Sequence, residues 1–316
     1  MPVPGKYQSA HALSVHGRFF LMDCGEGAQK QMIRFGIPPM KLEAVFISHI
    51  HGDHVFGLSG LLSTLGMLGR TAPLDIYGPT ALGPLVHFFL SYYGDYLAYE
   101  IRFTPVKVSA PEVIRQSKSL EVLAFPLNHQ IETYGYLLRE REPELNIDKD
   151  ALARYGFTRA EIGRLKQGED VLRPAGPDTE ATFLNGFVRH SGTDEPMLIR
   201  ADEVTFRRFK PRSYAYVSDT APFPQLAGWV SGVDLLYHES TYLEQWADQA
   251  AIRHHSTAVQ AAQCARAAGV RRLLIGHYSS RCIKPDAYQA EARTVFPETY
   301  AVSEGDVFDL PLEKSR

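Results

Sequence analysis

Ser48-His49-Ile50-His51-Gly52-Asp53-His54 is the stretch that decides how this chain is read. Four side chains able to ligate a metal fall within six residues, directly after the apolar run Ala44-Val45-Phe46-Ile47. Where a buried strand turns into a helix, positions i and i+2 can splay toward one point while i+4 and i+5 aim at a second. That geometry suits two metals a few ångströms apart. Imidazole nitrogens with a carboxylate suit zinc or a similar borderline ion. The competing reading is a polar loop whose histidines only bond the backbone. Three histidines and an aspartate in this order, after this strand, argue against it.

Working outward, the same pattern recurs along the chain. Residues 19–22 run into Asp23-Cys24-Gly25, 122–127 into Asn128-His129, and 214–217 into Ser218-Asp219. Residues 235–237 run into His238-Glu239, and 273–275 into Gly276-His277. Continuous apolar runs of this length read as strands buried on both faces. In layered α/β folds, ligands and chemistry collect beyond the C-terminal strand ends. One such residue means little, whereas six suggest a single convergent site, with His129, Asp219 and His277 available to complete the metal shells. Helices are expected over 57–68 and 80–92, and from Ala258 to Ala268, capped by Ser256 or Thr257 and stopped by Gly269.

Composition sets the outer bounds. With 316 residues, 45% hydrophobic and 22% charged, the chain has ample material for a core and is not disordered in bulk. A formal net charge of -3 argues against a protein that coats polyanions generally. Cys24, Cys264 and Cys282 are too few and too scattered for a disulfide framework, which points to a reducing cytoplasm. No apolar run long enough to span a membrane is present, and the N-terminus lacks a signal-peptide pattern, so no membrane partner is expected.

His-x-His-x-Asp-His after a strand, with later His, Asp and His on strand ends, resembles the metallo-β-lactamase fold. The longer string from Ser48 to Leu62 resembles its ribonuclease Z branch, the tRNA 3′-processing endonucleases. Asp23-Cys24-Gly25-Glu26-Gly27, Val217-Ser218-Asp219-Thr220, His238-Glu239-Ser240-Thr241, His255-Ser256-Thr257 and Gly276-His277-Tyr278-Ser279-Ser280-Arg281 resemble that branch's motifs in the same order. The resemblance implies an αβ/βα sandwich of two mixed sheets with outer helices. It also implies two Zn2+ per subunit, with His49, His51 and His129 on one, Asp53, His54 and His277 on the other, and Asp219 bridging. Asp53 would be the base toward the attacking hydroxide, and His255 the general acid oriented by Glu239, with His254 the weaker competitor. Asp23 is expected to fix the loop beneath the site rather than touch metal. Lys6 and Arg281 are candidate substrate contacts. His11, His16, His87, His190 and His254 read as ordinary histidines, while His238 lies within a family motif.

Residues 1–139 and 213–316 read as the catalytic core, with 140–212 inserted between two site-bearing strands. By resemblance the insert is an arm that grips tRNA. Arg154, Arg159, Arg164 and Lys166 against Glu161, and Arg200, Arg207, Arg208, Lys210 and Arg212 against Asp202 and Glu203, each leave a local +3 for phosphates. A solvated helical hairpin is the bland alternative. The family's Gly-Pro-rich arm tip is not matched, since Gly156 to Glu161 reads as helical. The family's opening strand has no counterpart before Pro4-Gly5-Lys6, so either the start lies upstream or an edge strand is missing. The expected function is 3′-trailer removal from precursor tRNA by a zinc-dependent homodimer. A general phosphodiesterase or small-substrate hydrolase of the same fold is the runner-up, and a non-catalytic RNA-binding module belongs to a different class.

Overall fold

The computed structural model describes residues 6–174, 196–279 and 284–314. Residues 1–5, where the expectation of a missing edge strand falls, lie outside these. The chain divides into two compact units, Met1–Arg139 with Ser213–Leu310 and Glu140–Arg212 with Pro311–Arg316. The tail from Pro311 thus groups with the inserted segment, whereas the sequence reading kept it with the core.

The larger unit contains two sheets. In the first, His11–Val15, Arg18–Met22, Leu42–Phe46, Leu74–Pro79 and Ile101–Val106 lie side by side in chain order. The opening pair is an antiparallel hairpin. Its turn, His16-Gly17, has both φ values positive, at 50° and 75°, as a type I′ connection requires. The remaining pairings are parallel. The second sheet runs Thr299–Ala301, Arg272–Gly276, Leu235–Glu239, Ser213–Val217, Tyr134–Glu140, Leu120–Pro126, Glu112–Gln116. Its first four strands are parallel, and Tyr134–Glu140 opposes Ser213–Val217.

Burial explains the layering. Phe20, Met22, Phe46 and Tyr77 of the first sheet share one buried cluster with Val122, Tyr136, Tyr216, Tyr237 and Leu274 of the second. The Phe46 and Tyr136 rings meet at 5.3 Å across this seam. On the outer face of the first sheet, Leu21, Val45 and Ile76 pack under Leu58–Met67 and Leu82–Tyr93. On the outer face of the second, Ala215, Leu236 and Leu273 pack under Ala258–Ala268 and Pro285–Arg293. Five buried alanines let Ala258–Ala268 approach its sheet closely. Thr257, not Ser256, caps that helix through a capping box with Gln260, and Gly269 ends it at φ 62°. Helix, sheet, sheet, helix is the αβ/βα sandwich.

The smaller unit has its own core of Ala151, Phe157, Leu165, Val171, Ile199 and Val204. Two helices, Lys149–Tyr155 and Arg159–Lys166, join through Gly156 in the left-handed region. Two short antiparallel pairs complete it. Ion pairs take up most of the basic residues of the second +3 segment and one, Arg164, of the first. Arg173 grips Glu161 at 2.8 and 3.1 Å, Arg164 meets Glu169, and Arg200 meets Asp202. Arg207 pairs with Glu142, Lys210 with Glu313, and Arg212 with Glu140.

Candidate metal centre

Parallel pairing puts the C-terminal ends of 18–22 and 42–46 on one edge of the first sheet. It does the same for 213–217, 235–239 and 272–276 in the second sheet. Asp23, His49, Asp219, Glu239 and His277 stand at or just beyond these ends, and His129 follows Leu120–Pro126. The short helix Gly52–Val55, entered from His51, adds Asp53 and His54. Backbone bonds seat this helix: Cys24 N donates to His54 O at 2.8 Å and Gly57 N to Cys24 O at 2.9 Å. The approach is so close that a Cβ on Gly57 would fall 2.0 Å from Gly25 O.

Among the described residues three groups of potential ligand atoms result, the third, Asp219, His255 and His277, sharing members with the other two. In the first, His51 Nδ1 lies 3.0 Å from His49 Nε2 and 3.4 Å from His129 Nε2. Asp219 Oδ2 lies 3.6 and 3.9 Å from those two Nε2 atoms. In the second, His277 Nε2 lies 3.2 Å from His54 Nε2 and 3.4 Å from Asp53 Oδ2. His54 Nε2 and Asp53 Oδ2 are 3.6 Å apart, and Asp219 Oδ2 is 3.7 Å from His54 Nε2. Ligands about 2.0–2.1 Å from a tetrahedral ion are about 3.3–3.4 Å from one another, so both sets fit a metal and Asp219 reaches both. Asp219 Oδ1 is buried and accepts no hydrogen bond among the described residues. Asp23, Asp53, Asp219 and Glu239 converge with only histidines as ion-pair partners among the described residues, a charge arrangement that calls for cations.

The surrounding bonds set which nitrogen of each ring faces the cluster. Asp23 Oδ2 accepts from His54 Nδ1 at 2.7 Å, Tyr216 Oη at 2.7 Å and Ser48 Oγ at 2.8 Å, while Oδ1 accepts from Ser48 N. Ser48's one proton is spent on that carboxylate. Its two lone pairs then take His49 Nδ1–H at 2.9 Å and the Ser218 hydroxyl at 3.0 Å. His129 Nδ1 donates to the carbonyl of His254 at 2.9 Å. Thr241 Oγ1 meets His277 Nδ1 at 2.9 Å. Each bond leaves the Nε2 atoms of His49, His54, His129 and His277 turned inward.

Burial, reinforced by the neighbouring imidazoles, lowers the His49 pKa. Burial also lowers that of His129, against the pull of Asp219. At His54 the opposite prevails, because Asp219 and Asp23 outweigh burial and raise its pKa to about 9. Asp23, His254 and His277 hold non-glycine residues at φ 56°, 54° and 60°. Each costs about 1–3 kcal/mol, and the three cluster at this site.

Glu239 is fully buried and accepts from Thr220 N, Thr241 N and Ser256 N at 3.1, 2.8 and 2.9 Å. It also holds His255 Nδ1 at 3.0 Å. Burial alone would depress the His255 imidazolium, but the Glu239 carboxylate outweighs it and raises the pKa. Asp219 Oδ2 is 3.9 Å from the same Nδ1, so a metal at that nitrogen would have to displace Glu239. Nε2 is the nitrogen left for chemistry. The His255 ring lies 5.2 Å from His129 and 5.7 Å from His277, between the two clusters' ligands.

Comparison with known proteins places this arrangement. The chain is 39% identical to the ribonuclease Z of Cytophaga hutchinsonii, over 97% of this chain and 92% of that one. It is 36% identical to the ribonuclease Z of Bacteroides fragilis, over 96% and 93%.

The chain belongs to the ribonuclease Z family.

Among solved structures, the short form of human tRNase Z shares the fold at a TM-score of 0.66 and 21% identity, over 98% of this chain and 95% of that one. The metallo-β-lactamase fold protein YhfI of Bacillus subtilis does so at 0.62 and 17%, over 97% and 93%. A family profile described as anti-Pycsar protein Apyc1 matches residues 3–84, the part bearing the His49–His54 motif.

Seven sequence-named metal candidates of this ribonuclease Z family member come together, as do Glu239 and His255. Lys6 is exposed, and Arg281 lies outside the described residues, as do His190 and Cys282. His238 turns away, buried with Nδ1 on the Glu239 carbonyl at 2.7 Å. Asp23 holds the site from beneath without joining either cluster, as expected. Sequence reading assigned no role to Ser48, Tyr216, Thr241 or the His254 carbonyl. Polar atoms inside or beside apolar strand runs were the available signal for the first two.

Proposed function

We propose that this chain is a zinc-dependent endoribonuclease that removes the 3′ trailer of precursor tRNA and leaves a 3′-hydroxyl on the tRNA. The observation that carries it is Asp219 within reach of two complete donor sets, in a chain of the ribonuclease Z family. His49, His51 and His129 would hold one zinc, Asp53, His54 and His277 the other, and Asp219 both. When bound, such a pair supplies a hydroxide nucleophile at neutral pH and neutralises charge developing on a phosphodiester. Asp53, whose side chain is 42% exposed, is open to water and accepts the proton of the attacking molecule. His255, its Nδ1 fixed by Glu239, holds a proton at Nε2 for the departing oxygen, and its raised pKa keeps that proton available.

Lys6 and Arg281 serve as substrate contacts, and the segment 140–212 as the arm that grips tRNA. Arg154, Arg159, Lys166 and Arg208 carry no ion pair among the described residues and are the arm's available phosphate contacts. No helix of the described residues is long and apolar enough to cross a membrane. We place the protein in the cytoplasm as a homodimer. Phe88, Tyr92 and Tyr96 stand exposed on and just after Leu82–Tyr93, and this apolar face supports self-association. Sedimentation at micromolar concentration checks it: a single monomeric species would refute the dimer.

One assay separates the functional readings. Purified protein with zinc is offered precursor tRNA and bis-p-nitrophenyl phosphate. Trailer release supports this proposal. Turnover of the small ester alone favours a general phosphodiesterase, and turnover of neither defeats both enzymes.

A further inference from the structure

Phe56 is a large aromatic side chain left 72% exposed two residues after the cluster residue His54. Its ring lies against the Gly52 backbone, where a Cβ would fall 2.3 Å from the ring edge. Gly52 joins His51 of one cluster to Asp53 of the other, so the ring sits beside the peptide that links the two clusters. Among the described residues Phe56 has no aromatic partner. Its neighbours in the chain, Val55 and Leu58, are buried in the core and anchor the segment from below. Most of the side chain therefore stays uncovered beside the peptide that links the two clusters.

A phosphodiester held at that centre carries a nucleoside on each side, and an unpaired base presents a flat π-face to any aromatic ring within reach. Such stacking tolerates every base, as a nuclease acting on variable sequences needs. We infer that Phe56 is a stacking platform for the unpaired nucleobase next to the scissile phosphate. It acts as a positioning residue that holds the single strand in line for attack. The inference rests on the ribonuclease reading above.

The test compares zinc-loaded wild-type protein with Phe56→Ala and Phe56→Trp on two substrates. One is an intact precursor tRNA, and the other the same RNA with abasic nucleotides flanking the cleavage site. On the intact RNA, Phe56→Ala is expected to lose about 5- to 150-fold in kcat/KM, with Phe56→Trp near wild type, at unchanged zinc content and Tm. On the abasic RNA the wild type is expected to fall to the level of Phe56→Ala. Full activity of Phe56→Ala on intact RNA would overturn the inference. So would an equal loss on both RNAs, which places the effect in the fold, or a change in oligomeric state, which places the ring between copies. If the wild type itself leaves the intact RNA uncut, the ribonuclease reading fails and takes this one with it.

Discussion

Replacing Ser48 by alanine probes the bonds beneath the metal centre. The side chain is fully buried, and its hydroxyl joins Asp23, His49 and Ser218 at 2.8, 2.9 and 3.0 Å. Alanine keeps the backbone bond from Ser48 N to Asp23 but loses all three others. A neutral buried bond contributes about 1 kcal/mol net, one to a carboxylate about 1.5–3, and an abandoned buried donor costs about 1–3. Partial relaxation leaves an expected loss of about 2–4 kcal/mol, or about 4–16 °C in Tm for a unit of this size. The His49 ring is also released to carry its proton on Nε2, where the metal must bind, so zinc affinity should fall about 10- to 100-fold. Chelator competition on metal-free protein and thermal unfolding with and without zinc read both effects. Zinc affinity within twofold of wild type, with Tm unchanged, would refute the idea that this hydroxyl sets the His49 tautomer.

His255→Ala should retain its zinc and lose at least about 100-fold in trailer cleavage, checked by metal analysis beside single-turnover kinetics; unchanged turnover would remove His255 from the acid role. Glu161→Gln should weaken the smaller unit by about 1 kcal/mol at pH 7, because Glu161 closes the Thr158 capping box and pairs with Arg173. Burial would raise the Glu161 pKa, but the Arg173 and Thr158 bonds outweigh it and lower it. A carboxylate with a depressed folded-state pKa stabilises above its unfolded pKa, so the wild-type advantage must shrink as pH falls through the acid range. Denaturant titrations at neutral and acidic pH check this, and an advantage that grows on acidification would contradict it.

The candidate centre was legible in the sequence because its ligands follow strands, and strand ends on a parallel sheet share an edge. His49 to His54 carried its own geometry, while Asp219 and His277 inherited theirs from where 213–217 and 272–276 stop. The partners that orient them were not legible, since the Asp23–Tyr216 and Ser48–Ser218 contacts exist only once two sheets face each other. Alternation along Leu235–Glu239 sends His238 and Glu239 to opposite faces, and Glu239 is the one that meets His255. Strands such as Leu74–Pro79 and Ile101–Val106 deliver no chemistry at their ends and drew no notice. The partners of some basic residues in the smaller unit were not legible, because pairs such as Arg207–Glu142 and Arg212–Glu140 close over 65 and 72 residues, beyond any local window.

Titrating metal-free protein with zinc while following trailer release from precursor tRNA tests the central claim most directly. Cleavage should be absent without metal, rise with added zinc and saturate at two equivalents per chain. Cleavage by the chelated protein, or saturation at one equivalent, would contradict a centre built around a shared Asp219.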